Sequence, residues 1–141
     1  MNSRSFVSLN RDVSEVGLGT WQLGGAEWGD VSEDKAIEIL NAAADSGVTF
    51  FDTADIYGHR RSESLIGKFL NSRTDRDRFF IATKLGRSPK PGWPENFTQQ
   101  TIRQHTEQSL ERLGVDSLDL TQTHCIPVEA MQRDEVWQSA T

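Results

Sequence analysis

Four short apolar runs, beginning near residues 15, 48, 79 and 118, are each followed by an amphipathic stretch. Such an alternation favours βαβ units, and consecutive βαβ units build a parallel sheet. The predicted strands are Glu15–Thr20, Val48–Asp52, Phe79–Lys84 and Leu118–His124, with a hairpin near Phe6–Val13 ahead of them. The first predicted helix runs from about Ser32 to Asp45. Ser32 caps its first amides, Ile37, Leu40 and Ala44 recur at helical spacing, and Gly47 supplies a left-handed stop. The second spans Ser62–Asn71, with Ser62 as cap and Leu65, Ile66, Phe69 and Leu70 on its buried side. The third starts at the cap Thr98, turns Ile102, Leu110 and Leu113 inward, and ends at Gly114. Asp134 is expected to open a fourth. The stretch GRSPKPGWPEN, with three prolines, is an extended loop.

Two architectures accommodate this pattern: an open doubly wound sheet, or part of a (β/α)₈ barrel. A dinucleotide-binding open sheet carries G-x-G-x-x-G in its first turn. Here Gly17-Leu18-Gly19 is followed by Thr20-Trp21-Gln22, and the third glycine is missing.

Charge narrows the function classes. The 21 Asp and Glu outweigh the 15 Lys and Arg, for a net charge of −6. The densest basic cluster, His59-Arg60-Arg61, is too short to offset that excess, so neither nucleic acid nor a membrane surface is an expected partner. No apolar run approaches the ~20 residues that span a bilayer, and the N-terminus MNSRSFVSLN lacks a signal-peptide core. Cys125 is the only cysteine, which rules out an internal disulfide. A cytoplasmic protein is the expectation. His59, His105, His124 and Cys125 show no ligand spacing, so no metal site is expected.

In a barrel of parallel strands, chemistry gathers at the C-terminal strand ends. Those ends read Thr20-Trp21, Asp52, Lys84 and His124, with Tyr57 in the loop after the second strand. Singly, each has a plain structural explanation; the asparate, for instance, suits a turn. Together they describe a tuned acid. A free phenol, with a pKa of about 10, donates a proton poorly near neutrality, and an adjacent ammonium favours its phenolate. A half-buried lysine in turn needs a counter-charge, which Asp52 can supply. A neutral histidine can orient a substrate oxygen by hydrogen bonding. The set suits protonation of a carbonyl oxygen while hydride arrives at carbon. Trp21 and Trp28 could form a substrate wall, although packing explains them equally well.

At these residues the chain resembles the aldo-keto reductases. The matching pieces are GLGTWQLGG (17–25), FDTADIYG (51–58), SESLIG (62–67), ATKLG (82–86) and SLERLGVDSLDLTQTHCIP (109–127), in the family's order. The resemblance implies a TIM barrel of which residues 1–141 form the N-terminal part, about the first four of eight βα units, ending in the fourth helix. It implies NADPH-dependent, metal-free reduction of aldehydes or ketones. Tyr57 would be the general acid, Lys84 and Asp52 its tuning partners, and His124 the group that orients the carbonyl. Gly19, Thr20, Trp21 and Asp52 would lie near the nicotinamide. In the family most other cofactor contacts come from the second half, including the phosphate loops. Residues 1–141 by themselves are therefore expected to bind NADPH poorly and to self-associate through the open half-barrel. The alternative function is a non-catalytic half-barrel or binding module.

Overall fold

The computed structural model describes residues 1–25 and 29–138. Trp28, one of the two tryptophans expected beside the first strand, lies outside the described residues. The chain opens with an antiparallel hairpin, β1 (Ser3–Phe6) and β2 (Arg11–Ser14), with Phe6 opposite Arg11. Four parallel strands follow: β3 (Gly17–Gly19), β4 (Phe50–Asp52), β5 (Phe80–Leu85) and β6 (Leu120–Thr123). Helices α1 (Glu33–Asp45), α2 (Arg61–Ser72) and α3 (Gln99–Leu113) connect them, and the short α4 (Val128–Met131) and α5 (Asp134–Gln138) come last.

The strands lie side by side in chain order, β3-β4-β5-β6. This order decides between the two architectures. Right-handed crossovers that always step to the next strand put every helix on one face, whereas a doubly wound sheet reverses direction and covers both. Helix α1 packs on α2, and α2 on α3, along that one face. The arrangement is that of a (β/α)₈ barrel over its first four strands.

Register assigns the side chains to faces, because neighbours along a strand alternate. Phe50 pairs with Phe80, Asp52 with Ala82, Ala82 with Leu120, and Lys84 with Gln122. These residues share the inner face, on the concave side. Phe51, Ile81 and Thr83 point the other way, toward the helices. There Phe51 and Ile81 join Leu40, Ala44, Leu65, Ile66, Phe69 and Leu113 in the main core. At the inner face's lower end Phe6 stacks on Phe80 and Phe80 on Phe50, with centroids 5.4 and 5.3 Å apart. The hairpin thereby closes the bottom of the sheet.

Local signals placed most helix ends. Ser32 accepts from the Lys35 amide at 3.2 Å and Thr98 from the Thr101 amide at 3.3 Å. Gly114 stops α3 in the left-handed region with φ of 64°, and Gly47 has φ of 94°. Helix α2 departs from expectation. It is preceded by the left-handed Arg60 with no side-chain cap, and Ser62 lies inside the helix, buried. Helix α3 departs too: its buried face is Thr101, His105, Ser109 and Leu113, while Ile102 and Leu110 are only half-buried. Strand β4 starts later than Val48 because the Ser14 hydroxyl takes the Thr49 and Phe50 amides, at 2.9 and 3.3 Å. No helix among the described residues is long and apolar enough to cross a membrane.

Candidate active site

Asp52 ends β4 on the inner face, and Lys84 stands on the same face of β5. The Lys84 ammonium binds the Asp52 carboxylate, donates to the Thr53 carbonyl at 2.9 Å and reaches the Tyr57 hydroxyl at 3.4 Å. Tyr57 arrives from the loop after β4, and its ring meets the His124 ring edge-on, with centroids 5.8 Å apart at 90°. On the other side Trp21 stacks on Tyr57 at 5.9 Å and 21°. The four residues singled out as a tuned acid are therefore brought together on one rim. Gln122, which sequence reasoning passed over, pairs with Lys84 in register and donates to the second Asp52 oxygen at 3.5 Å. Its only signal in the sequence is position: it stands one strand period before His124.

His124 is held by its backbone, whose amide donates to the Leu85 carbonyl at 2.7 Å. Burial, with the nearby cations of Arg87 and Lys84, pushes its pKa down to about 4. The imidazole is thus neutral at physiological pH. Its Nδ1 is buried and has no hydrogen-bond partner within the protein. A neutral ring that donates through Nε2 suits an oxygen ligand beside Tyr57.

Two loops and a buried hydroxyl chain set this geometry. Thr20 and the loop after β3 hang on β4: the Thr20 amide and hydroxyl both donate to the Asp52 carbonyl at 2.9 Å. The Ser62 hydroxyl donates to Thr20 Oγ1 at 2.8 Å and lies 3.0 Å from Thr53 Oγ1. Ser62 thus fastens α2 to the ends of β3 and β4. The Trp21 and Tyr57 loops touch backbone to backbone, since a Cβ on Gly58 would fall 2.3 Å from Gly24. Of the residues expected near a nicotinamide, Gly19 faces open space, Trp21 is exposed, and Asp52 is half-buried. Thr20 has no exposed surface and serves this chain as an anchor beneath the rim.

Behind the rim a second polar cluster joins α2, α3 and β5. Glu63 is wholly buried. It accepts from the Thr83 hydroxyl at 2.6 Å and from Arg112 Nε at 2.7 Å, and Arg112 also donates to Ser109 at 3.1 Å. Gly67 lets α3 approach α2, for a Cβ there would meet the Arg112 carbonyl at 2.3 Å. Because Thr83 directly precedes Lys84, this cluster holds β5 on its helix side. Among the described residues no group of three His, Cys, Asp or Glu could hold a metal ion.

Comparison with known proteins bears on the family and the fold. The sequence model of the aldo/keto reductase family matches residues 15–139. Aldo-keto reductase YhdN of Bacillus subtilis is 36% identical over 138 residues, covering 92% of this chain and 40% of its own. Aldo-keto reductase yakc [NADP(+)] of Schizosaccharomyces pombe is 36% identical over 118 residues, covering 82% and 34%. The holo form of aldo-keto reductase AKR11C1 from Bacillus halodurans superposes with a TM-score of 0.83 at 30% identity, covering 99% of this chain and 45% of its own. The chain thus spans less than half the length of these relatives. By the sequence match over residues 15–139 and the shared fold, the chain belongs to the aldo/keto reductase family.

Proposed function

We propose that this chain carries the catalytic rim of an NADPH-dependent reductase that converts aldehyde or ketone carbonyls to alcohols. The observation that carries the reading is Lys84, whose ammonium stands between the Asp52 carboxylate and the Tyr57 hydroxyl. As the Tyr57 proton passes to the substrate oxygen, negative charge appears on the phenol oxygen. The ammonium beside it stabilises that charge, and Asp52 with the Thr53 carbonyl holds the ammonium in place. His124, neutral and half-buried, donates to the same substrate oxygen and fixes the direction from which the carbonyl meets Tyr57. Trp21, stacked on the Tyr57 ring, walls the site and excludes water on that side.

The donor set agrees with the nicotinamide end of the cofactor. Gly19 leaves open space on the inner face next to Asp52, because a Cβ there would touch nothing within 4 Å. Gly19, Trp21 and Asp52 would border the ring, with Thr20 anchoring them from beneath. NADPH, when bound, supplies the hydride that adds to the carbonyl carbon. The name of the Schizosaccharomyces pombe relative includes NADP(+), in keeping with that choice.

The test is Tyr57→Phe in a chain of full barrel length, assayed by NADPH consumption with an aromatic aldehyde. Loss of the acid should lower turnover by about 100-fold or more, with cofactor affinity little changed. Turnover near wild type would assign the proton to another group.

A further inference from the structure

The chain leaves the rim at Trp21 in a single 3-10 turn, Gln22–Gly24. In it the Leu23 amide donates to the Thr20 carbonyl and the Gly24 amide to the Trp21 carbonyl, both at 3.1 Å. A turn this short leaves the carbonyls at its end without partners of its own. Arg61, the first residue of α2, reaches them. Its Nη1 donates to the Leu23 carbonyl at 3.0 Å and its Nη2 to the Val31 carbonyl at 2.6 Å, and both bonds are partly buried. Gly25 lies directly against the guanidinium, since a Cβ there would stand 3.4 Å from Nη1. One side chain therefore bonds the residues on either side of 24–30. Leu23 belongs to the main core and Val31 packs against it, so both ties end on the core. The helix itself gains nothing from this arginine, because a cation in the first turn opposes the helix dipole. Among the described residues its side chain bonds only these two carbonyls.

We infer that Arg61 is a clasp that sets Trp21 against Tyr57 and so gives the rim a preference for carbonyls bearing a flat, apolar substituent. Consecutive residues of α2 hold the chain on both sides of Trp21: the Ser62 hydroxyl binds Thr20 at 2.8 Å, and Arg61 binds Leu23. The Tyr57 loop is tied at the same place. The Arg61 amide donates to the Gly58 carbonyl at 3.2 Å and the Ser62 amide to the Tyr57 carbonyl at 3.3 Å. Between the two loops the backbones touch, as a Cβ on Gly24 would fall 2.6 Å from the Gly58 nitrogen. The start of α2 thus fixes the Trp21 turn through a side chain and the Tyr57 loop through its amides.

Trp21 is 43% exposed and stacks on the Tyr57 ring. Its free surface beside the phenol is where a planar substituent on the carbonyl packs, whereas a short aliphatic aldehyde does not reach it. The fork of a guanidinium suits the clasp, because it serves two acceptors at once in a fixed plane. Arg61 is a positioning residue, acting through Trp21. The inference rests on the carbonyl-reducing reading of the rim for its catalytic consequence alone.

The test is Arg61→Met, which keeps much of the side chain's volume and removes both donors. In a chain of full barrel length, kcat/KM for benzaldehyde should fall by about 10-fold, the scale of one aromatic contact, with the loss in KM. The value for propanal should be unchanged. In a Trp21→Leu background the same substitution should add nothing, as expected when one residue acts through the other. Arg61→Lys should not restore the wild-type value, since an ammonium lacks the fork. A readout independent of activity comes from 5-fluorotryptophan labelling of the same proteins. The Trp21 fluorine resonance, assigned by Trp21→Phe, is displaced by the Tyr57 ring and should move toward that of an unstacked indole in Arg61→Met. Equal losses for the two aldehydes, additive effects in the double variant, full activity in Arg61→Lys or an unmoved Trp21 resonance would each overturn the clasp. Should Arg61→Met fail to fold, Arg61→Lys is measured in its place, and the same results overturn it. A moved resonance in a protein whose Tyr57→Phe variant keeps its turnover would refute the catalytic reading and leave the clasp standing.

Discussion

Replacing Arg112 with Met exposes what the Glu63 cluster contributes. Glu63 has no exposed surface, and the Arg112 side chain is 14% exposed. The guanidinium gives the carboxylate two contacts at Oε2, 2.7 Å from Nε and 2.6 Å from Nη2, while Thr83 serves Oε1. Methionine fills much of the volume but leaves the carboxylate buried with one hydroxyl donor. Stranding one partner of a buried pair costs about 3–5 kcal/mol, a large share of the roughly 5–15 kcal/mol that holds a domain together. Urea unfolding at pH 7, followed by tryptophan fluorescence, measures the loss as a shift in midpoint at constant slope. Arg112→Met combined with Glu63→Gln should recover most of it, because a neutral amide accepts from Thr83 without a buried charge. A loss below about 1 kcal/mol would place the pair among weak surface bridges. A double variant no more stable than the single would show that the damage is a packing defect. Either result refutes the electrostatic account.

The rim supplies two further expectations. Gly58→Ala should destabilise the protein by about 1–3 kcal/mol, since the new Cβ collides with Gly24 and φ is 56°; an unchanged melting temperature would mean that the two loops are not in contact. His124 should titrate near pH 4 by ring NMR. Because its folded value lies below the ordinary 6.5, the unfolded chain binds the proton more tightly, and this residue lowers stability as pH falls from about 6.5 toward 4. A midpoint at 6.5 would contradict the buried, neutral ring.

The main strands and helices, the helix ends made by local chemistry, and the rim residues Asp52, Tyr57, Lys84 and His124 were legible in the sequence. Ser32, Thr98, Gly47 and Gly114 act on backbone groups a few residues away, so their roles can be read without knowledge of the fold. Asp52, Lys84 and His124 were legible because they end predicted parallel strands, and strand ends converge whatever the intervening helices do. The same local reading failed at Ser62. A serine at an apparent helix start looks like a cap, but the left-handed Arg60 starts α2 earlier, and the hydroxyl bonds Thr20 and Thr53 instead. It also passed over His105, Ser109 and Glu63, whose polar character suggests a solvated helix face. Their neighbours lie far away in sequence, Asp55 for His105 and Thr83 and Arg112 for Glu63, and only strand register with the close approach at Gly67 brings them together. The choice of barrel over doubly wound sheet was likewise tertiary, because it depends on which strand each crossover meets. Hydrophobic period specifies an element and its buried face; which buried face meets which is set by packing between distant segments, and there the polar layer behind the rim is made.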